Sequence, residues 1–279
     1  MRTRSTFLSV VLLLFLAPGA GGQSASEILQ TALERHEQRV AGIDNYTVIQ
    51  NVNGARAPLY FEKRMEDGHP VFEPRIMGDE ELPESVPGAE GGVGMSELLI
   101  RLGDRSRVEG TEVVEGRTAW VLQVDDVSGL GLETEGFQPS SMTILLDQEE
   151  HVPLRMKVSG RMEVEGGSHP VSMNTTFEDY RDVQGLLHPF RSTVRIEGMA
   201  AAIPVDDRER MQRQMEEMRK QLEEMPPEQR AMIEQQMKNN PQMQQMMEQM
   251  EAMAAGEDME MMVEVEEIRV NEGPPSQEP

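Results

Sequence analysis

The side chains able to do chemistry are scattered. Five histidines stand singly at His36, His69, His151, His169 and His188. His36-Glu37 is not followed by a second histidine at the one-turn spacing that lets two imidazoles share a zinc ion, so no zinc helix is predicted. Gly129-Leu130-Gly131 and Gly91-Gly92-Val93-Gly94 lack the lysine and the strand-to-helix setting of a phosphate loop, and no Gly-x-Ser-x-Gly elbow occurs. Asp and Glu number 50, so neighbouring carboxylates arise by chance and are read as solvated faces rather than an acid–base pair. There is no cysteine, which excludes thiol chemistry, Cys-ligated zinc, disulfides and a lipidated N-terminal cysteine. These observations predict a protein that is not an enzyme and needs no cofactor or resident metal.

Methionine is the one enriched chemical group. Met211, Met215, Met218, Leu222 and Met225 fall at alternating spacings of three and four, one stripe of a helix. After Pro226-Pro227 come a second helical pattern over 228–238 and, past Asn239-Asn240-Pro241, a third with Met243, Met246, Met247, Met250 and Met253. Three roles fit such a Met-rich helical hairpin over 206–257. It can be a packing seam, an adaptable surface for acyl chains or an envelope protein partner, or a thioether site for copper(I). Residues 206–254 contain no histidine, which makes copper the weakest of the three.

The remaining elements must position whatever the chain binds. Arg2 and Arg4, the apolar run Phe7 to Ala17, and Pro18, Gly19, Gly21 and Gly22 have the layout of a cleavable export signal, expected over residues 1–22. At about 11 residues the run is too short to span a bilayer, and no other run is long enough, so no transmembrane anchor is expected after cleavage. A capping-type Ser26 opens an amphipathic helix with Ile28, Leu29, Ala32 and Leu33 on one face, ending near Gly42. The period then changes to two. Strands are expected from Tyr46 and over Pro58 to Met65. A Gly- and Pro-rich loop covers 78–94, a short helix runs from Met95 to Leu102, and strands follow over Ser106–Val114 and Arg117–Asp125. A second Gly-rich stretch spans 126–139.

The clearest strand grammar has Met142, Ile144 and Leu146 alternating against Thr143 and Leu145. Past the acidic turn Asp147 to Glu150, Leu154, Met156 and Val158 are expected to face Arg155 and Lys157 across a sheet with one wet side. Strands over Val171–Tyr180, His188–Glu197 and Met262–Val270 complete the pattern before a Pro-rich tail over 272–279. Trp120, Leu122, Val124, Met142, Ile144, Leu146, Met156 and Val158 are the apolar face that lines a ligand cavity or fills a core. With 26 Lys and Arg against the 50 acidic residues the net charge is −24, and no basic patch suits nucleic acid.

The N-terminal helix, the antiparallel meander, the aspartate turn from Leu145-Leu146-Asp147 through Pro153-Leu154-Arg155, and the string Phe177-Glu178-Asp179-Tyr180-Arg181-Asp182-Val183-Gln184-Gly185-Leu186-Leu187-His188-Pro189 together resemble the periplasmic outer-membrane lipoprotein-sorting and carrier superfamily. The resemblance covers about residues 24–200 and 258–270. It implies an α+β fold, an unclosed antiparallel half-barrel wrapped round helices over 23–205 and 258–271. It also implies a periplasmic setting and non-enzymatic binding of lipid or lipoprotein acyl chains. The Met-rich segment is not part of that family's pattern.

Overall fold

The computed structural model describes residues 23–52, 54–75, 95–132, 134, 136–164, 167–226, 228, 229, 252 and 254–274. The export signal over 1–22, the loop at 78–94, nearly all of the second and third Met-rich helical patterns and the end of the tail lie outside them.

Helix α1, Ala25–Val40, begins two residues earlier than the spacing from Ser26 predicted. Ser24 is the cap: its Oγ accepts from the Glu27 backbone N–H while the Glu27 carboxylate accepts from the Ser24 N–H. Ser26 lacks an acidic residue three positions on and cannot form that reciprocal pair. At the other end Lys63 Nζ donates to the Val40 carbonyl at 2.8 Å and the Ala41 carbonyl at 3.3 Å, satisfying orphan acceptors where the helix dipole favours a cation.

Ten antiparallel strands form one sheet: β1 Asn45–Val52, β2 Ala55–Glu66, β3 His69–Arg75, β4 Ser106–Val114, β5 Arg117–Val124, β6 Phe137–Asp147, β7 Pro153–Val164, β8 Gly167–Val183, β9 Leu186–Glu197 and β10 Met259–Val270. Their order is β3-β2-β1-β10-β9-β8-β7-β6-β5-β4, so β3 and β4 are free edges and the sheet does not close. The fold is therefore the unclosed antiparallel half-barrel with helices that the sequence predicted. Asp67-Gly68, Glu115-Gly116 and Gln184-Gly185 all have positive φ at both positions, the two-residue turns whose twist matches the strands they join.

Helix α2, Met95–Leu102, continues into a 3₁₀ turn, Gly103–Arg105. Helix α1 packs on α2 and touches both edge strands as well as β9, so the helices lie across the mouth of the half-barrel. At the β8–β9 turn a Cβ on Gly185 would stand 2.8 Å from the Arg39 carbonyl, so glycine lets the end of α1 approach the sheet.

Strand β3 was not read from the sequence because Pro70 and Pro74 break the strand signal. As an edge strand it tolerates prolines, which also block further pairing there. The predicted face of β7 needs a correction. A register shift places Leu146 opposite Pro153 and Leu145 opposite Arg155, leaving Leu154 in a bulge. Leu154 consequently packs on the other face with Leu145, Val114 and Ala119, away from Met156 and Val158, and that face is not uniformly wet.

Met259 opens β10 directly opposite Ile196 near the end of β9, so residues 198–258 leave and re-enter the sheet at one point. The excursion contains a short α3, Met199–Ala202, with Ala200 and Ala202 buried, and α4, Val205–Glu224. Replacing residues 199–257 by an Asn-Gly turn is expected to preserve a cooperative β-sheet fold by circular dichroism, whereas deleting 259–279 removes a central strand and should abolish it. Loss of folding in the first variant would show that the excursion is integral to the sheet.

Candidate functional site

All eight residues of the predicted apolar face are brought together. Leu122 stands opposite Ile144 and Ile144 opposite Met156; Val124 stands opposite Met142 and Met142 opposite Val158; Trp120 stands opposite Leu146. Residues paired across strands project to the same side, so these rows form a continuous patch on the concave face. Leu122, Val124 and Met142 are 0 % exposed, and Ile144, Leu146 and Val158 are also buried. Trp120 and Met156 are half-buried at its margin.

The helices supply the other wall. Ile28, Leu29, Ala32 and Leu33 of α1 and Leu98, Leu99 and Leu102 of α2 pack into this patch, joined by Val127, Leu130 and Phe137. The stretch 126–139, expected to be flexible, thus inserts its own apolar side chains, and β6 already begins at Phe137. The apolar stripe of α1 was legible at helical spacing, but which strands it faces depends on the curl of the sheet. A second cluster lies toward the end of α1, where Val40 and Ile43 meet Val48, Phe72, Leu186, Phe190, Ile268 and Val270. Tyr46 stacks on Phe61 at 4.7 Å beside it.

A polar clasp fixes α1 to the β6–β7 turn. Arg35 donates to the Glu149 carbonyl. Arg39 donates to the Glu150 carbonyl at 3.0 Å and pairs with its carboxylate at 2.5 Å. Asp147 organises the turn: its Oδ1 accepts from the Glu149 and Glu150 N–H groups, and Oδ2 pairs with Arg117 Nε at 3.0 Å. Its side chain is only 3 % exposed, so each carboxylate oxygen needs these partners. The Tyr180 hydroxyl closes the arrangement by donating to the Pro153 carbonyl at 2.6 Å. The aspartate turn and the tyrosine of the family-like string are therefore structural.

The histidines do not converge. His69 pairs with Glu37, and among the described residues no group of three or more His, Asp or Glu is placed to hold a metal ion. His36 lies on the buried side of α1 and its Nε2 has no hydrogen-bond partner among the described residues. Burial, then the charge of Arg39, hold its pKa down at about 4. Burial also lowers His151 and His188. Met211 and Met215 of α4 are half-buried, while the side chains of Met218 and Leu222 lie outside the description. No helix among the described residues is long and apolar enough to cross a membrane.

Fold and site together define an unclosed half-barrel whose apolar concavity is covered by two helices. No family model matches the chain, and no curated protein does. Among solved structures it is similar to a DUF1329 family protein from Desulfovibrio piger at 11 % identity and a TM-score of 0.41, covering 89 % of this chain and 95 % of that one. It is similar to an outer membrane lipoprotein-sorting protein domain from Vibrio parahaemolyticus at 11 % identity and 0.39, covering 88 % and 95 %. A LolA superfamily protein from Nitrosomonas europaea shows 12 % identity and 0.33, covering 60 % and 84 %. At these scores no ligand or role passes from them to this chain.

Two outcomes are expected from this geometry. Asp147→Ala removes the turn's acceptor and strands Arg117, and should cost about 2–4 kcal/mol in urea denaturation; a change below about 0.5 kcal/mol would contradict the clasp. The folded His36 binds its proton less readily than the unfolded chain does. Above pH 6.5 both states are neutral, and stability falls as pH drops from 6.5 toward about 4. The loss is up to about 1.4 kcal/mol per pH unit from this group, with His151 and His188 acting in the same direction. His36→Leu should flatten that dependence, and an unchanged slope would contradict the assignment.

Proposed function

We propose that this chain is a non-enzymatic, periplasmic binder of acyl groups, holding the chain of a lipid or lipoprotein between helices α1 and α2 and strands β5–β7. The supporting observation is the kind of cover the apolar interior has. A closed barrel opens only by breaking backbone ladders, whereas here the two edges are unpaired among the described residues and the concavity is sealed by side chains of α1 and α2 with Val127, Leu130 and Phe137. Opening the interior costs apolar contact and no strand pairing. A guest hydrocarbon restores that contact.

The magnitudes allow this exchange. Each buried methylene contributes about 0.8 kcal/mol, so ten give roughly 8 kcal/mol, which corresponds to micromolar affinity before losses from ordering. The eight residues from Trp120 to Val158 are the sheet side of this site, and Val127 and Leu130 flank it. The acidic surface suits a soluble carrier and disfavours polyanions.

The chain has a single tryptophan, Trp120, at the margin of the interior, which makes it a built-in reporter. Titration of the chain from residue 23 onward with a brominated acyl ester should quench Trp120 emission saturably, with unlabelled ester reversing it. Absence of saturable quenching would contradict acyl binding at this site.

A further inference from the structure

The buried stripe of α1 runs through Ala25, Ile28, Leu29, Ala32 and Leu33 and resumes at Val40, with the half-buried His36 between. The five residues before His36 belong to the first apolar cluster and Val40 to the second. His36, three and four positions from Leu33 and Ala32, lies on the same face and is its polar interruption. Its buried Nε2 has no partner among the described residues, an arrangement that costs about 1–3 kcal/mol in a site holding no ligand.

The sheet also carries a buried polar residue beside each cluster. Thr175 of β8 stands opposite Met156, which packs on the first cluster. Gln50 of β1 stands opposite Val265, which packs on the second. Both polar residues are 9 % exposed. Strand β9, against which α1 packs, lies between β8 and β10 in this part of the sheet. Each apolar cluster is thus bordered by a polar side chain of the sheet, and α1 carries His36 between the parts of its stripe that join them.

Neighbouring cations are already engaged. Arg35 and Arg39 are held by the β6–β7 turn, and Lys63 caps the end of α1. Glu37, the adjacent carboxylate on α1, is paired with His69. A ligand carboxylate placed at His36 would be desolvated without a free counter-charge among these groups, while a neutral carbonyl needs only one donor. Burial and Arg39 keep the imidazole neutral at physiological pH.

Building on the acyl-binding reading, we propose that His36 is the polar anchor of the interior. Its Nε2–H donates to the carbonyl oxygen of the ester or amide through which a bound acyl chain is attached, so the site takes acyl esters and amides in preference to free fatty acids.

The test compares three probes of equal chain length, 1-monopalmitoylglycerol, palmitate and hexadecane, binding to the wild-type chain, His36→Leu and His36→Gln at pH 7.5. Leucine continues the apolar stripe and keeps the helix; thermal unfolding verifies this. The wild type is expected to bind the ester about tenfold more tightly than palmitate. His36→Leu should weaken the ester about five- to tenfold and leave hexadecane unchanged, with His36→Gln restoring much of the loss through its amide N–H. Equal ester affinity in His36→Leu, an equal loss for hexadecane, or palmitate binding as tightly as the ester would overturn the role of His36 while leaving acyl binding intact. No binding of any probe to the wild type would overturn the acyl-binding reading and this inference together.

Discussion

An antiparallel sheet that curls without closing has a concave apolar face to cover, and here α1 covers it. The helix reaches from the first cluster to the second and touches both edge strands and β9. The apolar stripe supplies most of the adhesion, since each fully buried Leu or Ile contributes about 1.5–3 kcal/mol. Orientation comes from polar contacts at its two ends. The capping pair of Ser24 and Glu27 starts the helix. Lys63 and the contacts of Arg35 and Arg39 with the β6–β7 turn fix the other half.

The division between adhesive and orienting contacts bears on function. The first cluster contains only apolar side chains, so its contacts are non-directional and can be exchanged for contacts with a hydrocarbon of similar volume. The clasp at Asp147 is directional and nearly buried, so it holds its geometry through such an exchange.

Much of this architecture was legible in the sequence, and the departures have local physical causes. Strands β5 and β6 announce themselves through alternation, and α2 through a compact apolar pattern between glycines. Leu154 was assigned to the wrong face because one bulged residue reverses the alternation that Met156 and Val158 resume. Strand β3 was hidden by the prolines that make it a safe edge. The eight residues of the apolar face lie together because cross-strand rows follow from register. Their helix partners were not legible, since which helix face meets which strand depends on the curl of the whole sheet. His36 looked solitary because sequence separation conceals that it continues the stripe of Ala32 and Leu33 across the gap between two cores.

The account stands on one central claim, that the concave interior accommodates an acyl chain. Native mass spectrometry of the chain purified gently from a periplasmic fraction, with lipid extraction of the same sample, tests it most directly. The account predicts a bound population heavier than the polypeptide by the mass of an acylated species that is recovered in the extract. A single mass equal to the bare polypeptide, unchanged after incubation with acyl esters, would contradict it.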